Sequence, residues 1–130
     1  MKKKIPTSSL LFIFTGIIAV AIVGLAIKNA SAPAGAEELA QCLTENSTKM
    51  YGAWWCPHCE AQKELFGKAF KQIDYIECSP GGTRTMSQEC QDAGIEGYPT
   101  WEFADGSRVS GEQSFQDLSE KSGCQLPATE

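Results

Sequence analysis

Cys56 and Cys59 stand two residues apart around Pro57 and His58, and this short run constrains the chain more than any other. Proline has no backbone N–H to give and holds φ near that of a helix, so Pro57 suits the first turn of a helix and not the middle of a strand. Upstream, Lys49 to Ala53 reads as a short strand in which Met50 and Tyr51 can pack into a core. Downstream, Pro57 to Phe70 reads as a helix, because Ala61, Leu65, Phe66, Ala69 and Phe70 recur at helical spacing. Glu64 and Lys68 add an i,i+4 pair to it, and Gly67 weakens it slightly. The two cysteines therefore open a helix at a strand-to-helix junction.

The remaining pattern extends that unit. Glu37 to Glu45 predicts a first helix with Leu39, Ala40 and Leu43 on one face. Ile73 to Glu77 predicts a second strand, and Ser79 to Arg84, with Pro80, Gly81 and Gly82, a loop. Thr85 with Gln88 three residues on suits a capping box opening a short helix to about Ala93. Pro99 precedes a strand at Thr100 to Phe103, Asp105-Gly106 signals a hairpin turn, and Arg108 to Ser110 is the return strand. Ser114 and Asp117 cap a last helix that Gly123 ends. The order α-β-α-β-α-β-β-α predicts an α/β domain. Its central sheet is mixed, with parallel crossovers first and an antiparallel hairpin later, and is flanked by helices.

The N-terminus is of another kind. Leu10 to Ile27 carries no charge and is rich in Ile, Leu, Val, Phe and Ala. As a helix it covers roughly 27 Å, close to the ~30 Å hydrocarbon core of a bilayer. Lys2, Lys3 and Lys4 precede it, which keeps the N-terminus cytoplasmic and sends the rest of the chain across the membrane. The organisation expected is a basic N-terminus over residues 1–9, a transmembrane signal anchor over 10–28, a small-residue linker over 29–36 and an exported domain over 37–130. Ala30-Ser31-Ala32 also fits a signal-peptide cleavage site, although the apolar run is longer than is usual for one. With or without cleavage, the domain lies in a periplasm, a lumen or outside the cell. All 16 acidic residues follow residue 28, with seven of the 11 basic ones, so the exported part repels phosphate and excludes nucleic acid as a partner.

Six cysteines in so short an exported chain point to stapling, redox work or metal. A dithiol catalyst needs two sulfurs within reach of each other, one of them stabilised as a thiolate. At the N-cap of a helix, Cys56 meets free backbone N–H groups and the positive end of the helix dipole, which makes it the nucleophile. Cys59, one turn on, is the resolving thiol. His58, the one histidine of the chain, can stabilise negative charge on the Cys56 sulfur, or simply stand exposed on the helix. A zinc site that also uses Cys78 and Cys90 is the competing reading, but those two lack the tight spacing of a second zinc knuckle, so no metal and no cofactor is expected.

Gly97-Tyr98-Pro99-Thr100 lies at the start of a strand, about forty residues beyond the cysteine pair. With it the chain resembles the thioredoxin fold, which places a cis-proline opposite its C-x-x-C in a loop that binds the extended backbone of a substrate. The resemblance makes Pro99 that cis-proline and Tyr98 the residue before it, with Trp55 on the rim of the same site. Met50 to Cys59, Gln62 to Gly67, Ile76 to Pro80 and Gly97 to Trp101 resemble more narrowly the thioredoxin-like domain fused to bacterial and plastid homologues of vitamin K epoxide reductase. That likeness runs from about Glu37 to Gly123. It implies an oxidase of exported proteins' cysteines that passes electrons to a membrane quinone reductase. Here a single apolar segment stands where the family has a multi-helix reductase, so the reductase is expected in trans.

In the resembled family, the cysteines matching Cys78 and Cys90 form a structural disulfide. These two also bracket a Gly-Pro loop with few residues able to build a core, and a second redox relay is the alternative. Cys42 and Cys124 lie outside the family pattern. They are proposed to pair and tie the two ends of the domain together, against the alternative of two separate thiols. Trp54 and Trp55 read as packing and rim residues, Asn46-Ser47-Thr48 matches a glycosylation triplet common by chance, and Asp74 is given no proton-transfer role. Two readings compete with the oxidase: a reductase or isomerase on the same fold, and a binding module with inert cysteines.

Overall fold

The computed structural model describes residues 32–126. The segment 10–28 and its cleavage motif's first residues lie outside them, and among the described residues no helix is long and apolar enough to cross a membrane.

Helix α1 spans Ala36–Glu45 and buries Ala36, Leu39, Ala40 and Leu43, the face expected from its periodicity. Glu37 and Glu38 sit in its first turn, where the helix dipole favours acids. Strand β1 is Lys49–Gly52, helix α2 Pro57–Phe66 and strand β2 Asp74–Glu77. Helix α3 is Gln88–Asp92, β3 Thr100–Glu102, β4 Arg108–Ser110 and α4 Phe115–Ser122. The four strands form one sheet in the order β2-β1-β3-β4. β1 and β2 run parallel, as a helical crossover requires, while β1–β3 and β3–β4 are antiparallel. The expected mixed sheet with flanking helices is the architecture observed.

Two expected helices have different bounds. The helix expected over Pro57 to Phe70 ends at Phe66, because Gly67 takes φ 54°, and a 3-10 segment, Gly67–Gln72, carries the chain on to β2. Leu65 was counted with the apolar face but is 40% exposed. Phe66 points inward as expected, joined there by Cys59 and Gln62. The capping box at Thr85 does not form. Ser87 caps α3 by accepting the Cys90 N–H, and the backbone N–H of Thr85 donates instead to Thr83 Oγ1. At α4 the box forms as expected, with Ser114 and Asp117 satisfying each other's backbone N–H groups and Gly123 closing the helix at φ 74°.

The main core packs Leu39, Leu43, Met50, Phe66, Trp101, Phe103 and Leu118 around the inner ends of both active cysteines. A second cluster joins Tyr51, Cys78, Cys90 and Ile95 on the other side of the sheet. Two disulfides frame these cores: Cys42–Cys124 spans 82 positions and Cys78–Cys90 spans 12. Loop-closure entropy rises with loop length, so the long bridge constrains the unfolded chain more. Replacing Cys42 and Cys124 together by serine should lower unfolding stability by up to about 4.5 kcal/mol, against about 3 kcal/mol for Cys78 and Cys90. Urea titration of the two double variants checks the order, and an equal or reversed order would contradict it.

Candidate functional site

β1 delivers the chain to the site and stops, because Pro57 can only begin a helix. Cys56 is left as the N-cap of α2, with extended backbone at φ −85° and ψ 115°. Its Sγ accepts the Cys59 N–H at 3.3 Å, the role a serine or aspartate oxygen has at other N-termini. The sulfur thus sits where unsatisfied helix N–H groups converge. The Cys56 thiol also donates to the carbonyl of Tyr98 at 3.7 Å. Both cysteines are unpaired thiols in this structure.

The two sulfurs differ in surroundings. Cys56 is 5% exposed and Cys59 not at all. Burial, then the hydrogen bond with Cys56, pushes the Cys59 thiol up to about 12, with the Ala53 backbone and Lys63 pulling the other way. Cys59 is therefore a protonated thiol at neutral pH.

The loop before β3 closes the other side. The Tyr98–Pro99 peptide bond is cis, Pro99 is buried, and its carbonyl accepts the Gly111 N–H at 2.8 Å. Tyr98 stands edge-on to Trp55, with ring centres 6.0 Å apart. Trp55 Nε1 donates to Ser79 Oγ at 3.2 Å, and the Arg84 guanidinium lies over its ring. Trp54 is 47% exposed and donates from Nε1 to the carbonyl of Thr83 at 3.1 Å. Ser79, Thr83 and Arg84 all lie between Cys78 and Cys90, so that disulfide holds the loop on which both tryptophans rest.

His58 takes the exposed one of the two positions open to it. Its Nδ1 pairs with Glu112 Oε1 at 2.6 Å on the surface, and among the described residues no hydrogen bond joins it to the Cys56 sulfur. The helix turns the His58 side chain outward, toward the loop after β4. That loop is also gripped by Gln62, which is buried and exchanges two hydrogen bonds with the backbone of Gln113, at 2.7 and 3.0 Å. Glu112, Gln113 and Gln62 were not singled out in the sequence, since each finds its partner some fifty positions away. Glu77 was also missed. Its Oε1 accepts the N–H groups of Trp54, at 3.2 Å, and Ser79, at 2.8 Å, bracing the turn that leads into Cys56. The only hint was an acid at the end of an apolar strand. Asp74, at the start of β2, is exposed.

Cys78 and Cys90 are consumed in their disulfide and unavailable to a zinc ion with Cys56 and Cys59, and no other cluster of ligands is found among the described residues. Asn46, the candidate glycosylation residue, is exposed and donates from its amide to the Ser122 carbonyl at 3.2 Å and to Cys124 Sγ at 3.5 Å.

A helix-capping cysteine, a buried second thiol one turn on, and a cis-proline in the loop before β3 on a mixed sheet are the arrangement expected from the thioredoxin-like resemblance. Over 92 residues, 68% of its length, the chain is 45% identical to the Thiol-disulfide oxidoreductase LTO1 of Arabidopsis thaliana. The chain spans about a quarter of that relative's length, 24%. No family model matches the chain. That relative's name describes an enzyme acting on thiols and disulfides.

The raised Cys59 thiol makes a pH prediction. A folded-state value above the unfolded one, ~8.5, favours the neutral thiol in the fold. That contribution is complete below ~8.5 and is lost as pH rises toward about 12. Denaturation of the dithiol form across this window should therefore show a loss of stability that the disulfide form, with no Cys59 proton, lacks. Parallel curves for the two forms would contradict the assignment.

Proposed function

We propose that this chain is a membrane-tethered oxidase of exported proteins, taking electrons from their cysteines at Cys56 and Cys59. The observation that carries the reading is the Cys56 sulfur at the mouth of the site, capping α2 and facing the Tyr98–Pro99 loop. In the disulfide form, a substrate thiolate attacks Cys56 Sγ and the electron pair of the Cys56–Cys59 bond leaves on Cys59 sulfur. A second substrate thiolate then attacks the substrate sulfur of this mixed disulfide, forming the substrate's disulfide and releasing Cys56 as a thiolate. Trp55, Tyr98 and Pro99 form the surface against which the substrate's extended backbone lies. The electrons pass on through Cys56 to a membrane quinone reductase of the vitamin K epoxide reductase type, acting in trans. The apolar segment 10–28 holds the domain beside that partner, on the periplasmic, lumenal or outer face.

The deciding measurement is the reduction potential of the Cys56–Cys59 couple, by equilibration with glutathione. A value toward ~−120 mV is expected of an oxidase. A value near ~−270 mV would overturn that direction and make the protein an exported reductase.

Attack at Cys56 is tested separately. The Cys59→Ala chain should accumulate mixed disulfides with exported proteins, because the thiol that resolves them is gone, and Cys56→Ser should abolish them. If Cys59→Ala gives no adducts in cells on non-reducing gels, Cys56 is not the attacking residue.

A further inference from the structure

Each turn of the exchange moves a proton on or off Cys59, and its sulfur is closed off from water. The proton needs a path through protein groups. β2 pairs with β1 so that Tyr75 lies opposite Met50 and Glu77 opposite Gly52. Gly52 has no side chain, and a Cβ there would meet Tyr75 Oη at 3.0 Å, Tyr75 Cε2 at 2.7 Å and Cys59 Sγ at 3.1 Å. The phenol and the sulfur therefore converge on the space this glycine leaves open. On its other side the Tyr75 hydroxyl donates to Glu77 Oε2 at 2.9 Å. Glu77 is fixed in turn by the Trp54 and Ser79 N–H groups on its other oxygen.

We propose that Tyr75 and Glu77 form the proton relay of Cys59, and that Gly52 keeps the way between sulfur and phenol clear. The proposal rests on Cys56 and Cys59 being the exchanging pair. In closing the pair from a mixed disulfide at Cys56, the Cys59 proton passes to Tyr75 Oη beside Gly52 as the Tyr75 proton passes to Glu77 Oε2, and the partly exposed Glu77 then gives it up to solvent. The Cys59 sulfur attacks Cys56 Sγ, and the Cys56–Cys59 bond forms. The bond from Cys56 to the partner's sulfur breaks, and that sulfur leaves with the electron pair and is protonated from solvent. Opening the pair runs the same transfers backwards and delivers the proton to Cys59 as it leaves.

The electrostatics suit a relay. Burial, then the bond to Glu77, holds the Tyr75 hydroxyl well above its ordinary range, so at neutral pH it conducts a proton without standing as a phenolate. Cys56, Glu60 and Lys63 from α2 and Tyr98 from the loop before β3 also face the pair, with Lys63 Nζ 4.6 Å from the centre of the Tyr75 ring. All four are common to the wild type and the variants below, so their titration cancels in the comparison.

The test is the closing step in the full chain. Reduced protein is mixed with oxidised glutathione, and the formation of the Cys56 adduct and its resolution by Cys59 are followed separately from about pH 5 to about pH 9. Tyr75→Phe keeps the ring that packs on Phe70 and removes only the hydroxyl. It should leave adduct formation unchanged and slow resolution roughly 10²-fold at neutral pH. The residual rate should climb about tenfold per pH unit, as solvent hydroxide takes over as proton acceptor. Glu77→Gln should reproduce the slowing and the slope with the hydroxyl still present. If Tyr75→Phe resolves at the wild-type rate with the wild-type profile, the relay is wrong. If it slows but Glu77→Gln does not, the path does not run through Glu77 and the proposal as stated also fails. A wild-type chain that never forms or resolves the adduct would overturn the exchanging pair itself, which keeps the two failures apart.

Discussion

The hydrogen bond from the Cys59 N–H to the Cys56 sulfur ties the chemistry of this domain to its backbone. Every α-helix leaves N–H groups at its start that want a partner. Here the partner is the sulfur of Cys56, so in the proposed exchange the bond that caps α2 also reaches the attacking atom. The arrangement holds only if Pro57 begins the helix, β1 ends where it does, and the turn between them keeps its shape. The turn is held by Glu77, which takes the Trp54 N–H, and by the Cys56 N–H bonded to the carbonyl of Ala53 at 3.0 Å. The adjoining strand thus fixes the reactive sulfur as firmly as its own helix does.

The disulfides follow a similar division of labour. Cys42–Cys124 joins α1 to the chain just after α4 and restrains the two ends of the domain. Cys78–Cys90 lies directly after β2 and restrains the loop bearing Ser79, Thr83 and Arg84, on which both tryptophans of the site depend. Its effect reaches the substrate surface through those contacts. A loop with Pro80, Gly81 and Gly82 and little apolar content has no core of its own to keep it in place, so a covalent tie is the physical means available.

Much of this was legible in the sequence because it rests on local rules. The proline after Cys56, the Asp105-Gly106 turn, the Ser114 and Asp117 cap and the apolar face of α1 each act over a few residues, and the strands and helices fall close to where those rules put them. The errors lie where two local rules compete or where tertiary partners decide. Thr85 and Ser87 are both able to cap a helix, and the choice went to Ser87, which bonds the N–H of Cys90 as that residue reaches Cys78. Gly67 reads as a weak spot in a helix, yet its positive φ breaks the helix outright. For His58 the sequence leaves two positions open, beside the Cys56 sulfur or exposed, and its pairing with Glu112 decides for the exposed one. Gln62, Glu112 and Gln113 carry no periodic signal at all. A buried glutamine looks like any polar helix residue until the loop that it clasps is in place.

In the proposed exchange, the unequal burial of the two sulfurs sets the order of attack. A partner thiol or disulfide can approach only the sulfur that meets the surface, and that is Cys56, beside the Tyr98–Pro99 loop. Cys59 is reached only from within, by Cys56 itself. Sequestering the second thiol has a physical cost, because a thiolate formed there loses its hydration. The same burial protects it: with its proton held, Cys59 is a poor target for adventitious oxidants and for a second partner. A mixed disulfide at Cys56 therefore has two exits, closure by Cys59 from inside or displacement by another thiol from outside. Which one is taken depends on how readily the buried proton can leave. The groups that β2 sets beside Cys59 thus bear on the fate of the proposed intermediate as much as Cys56 does.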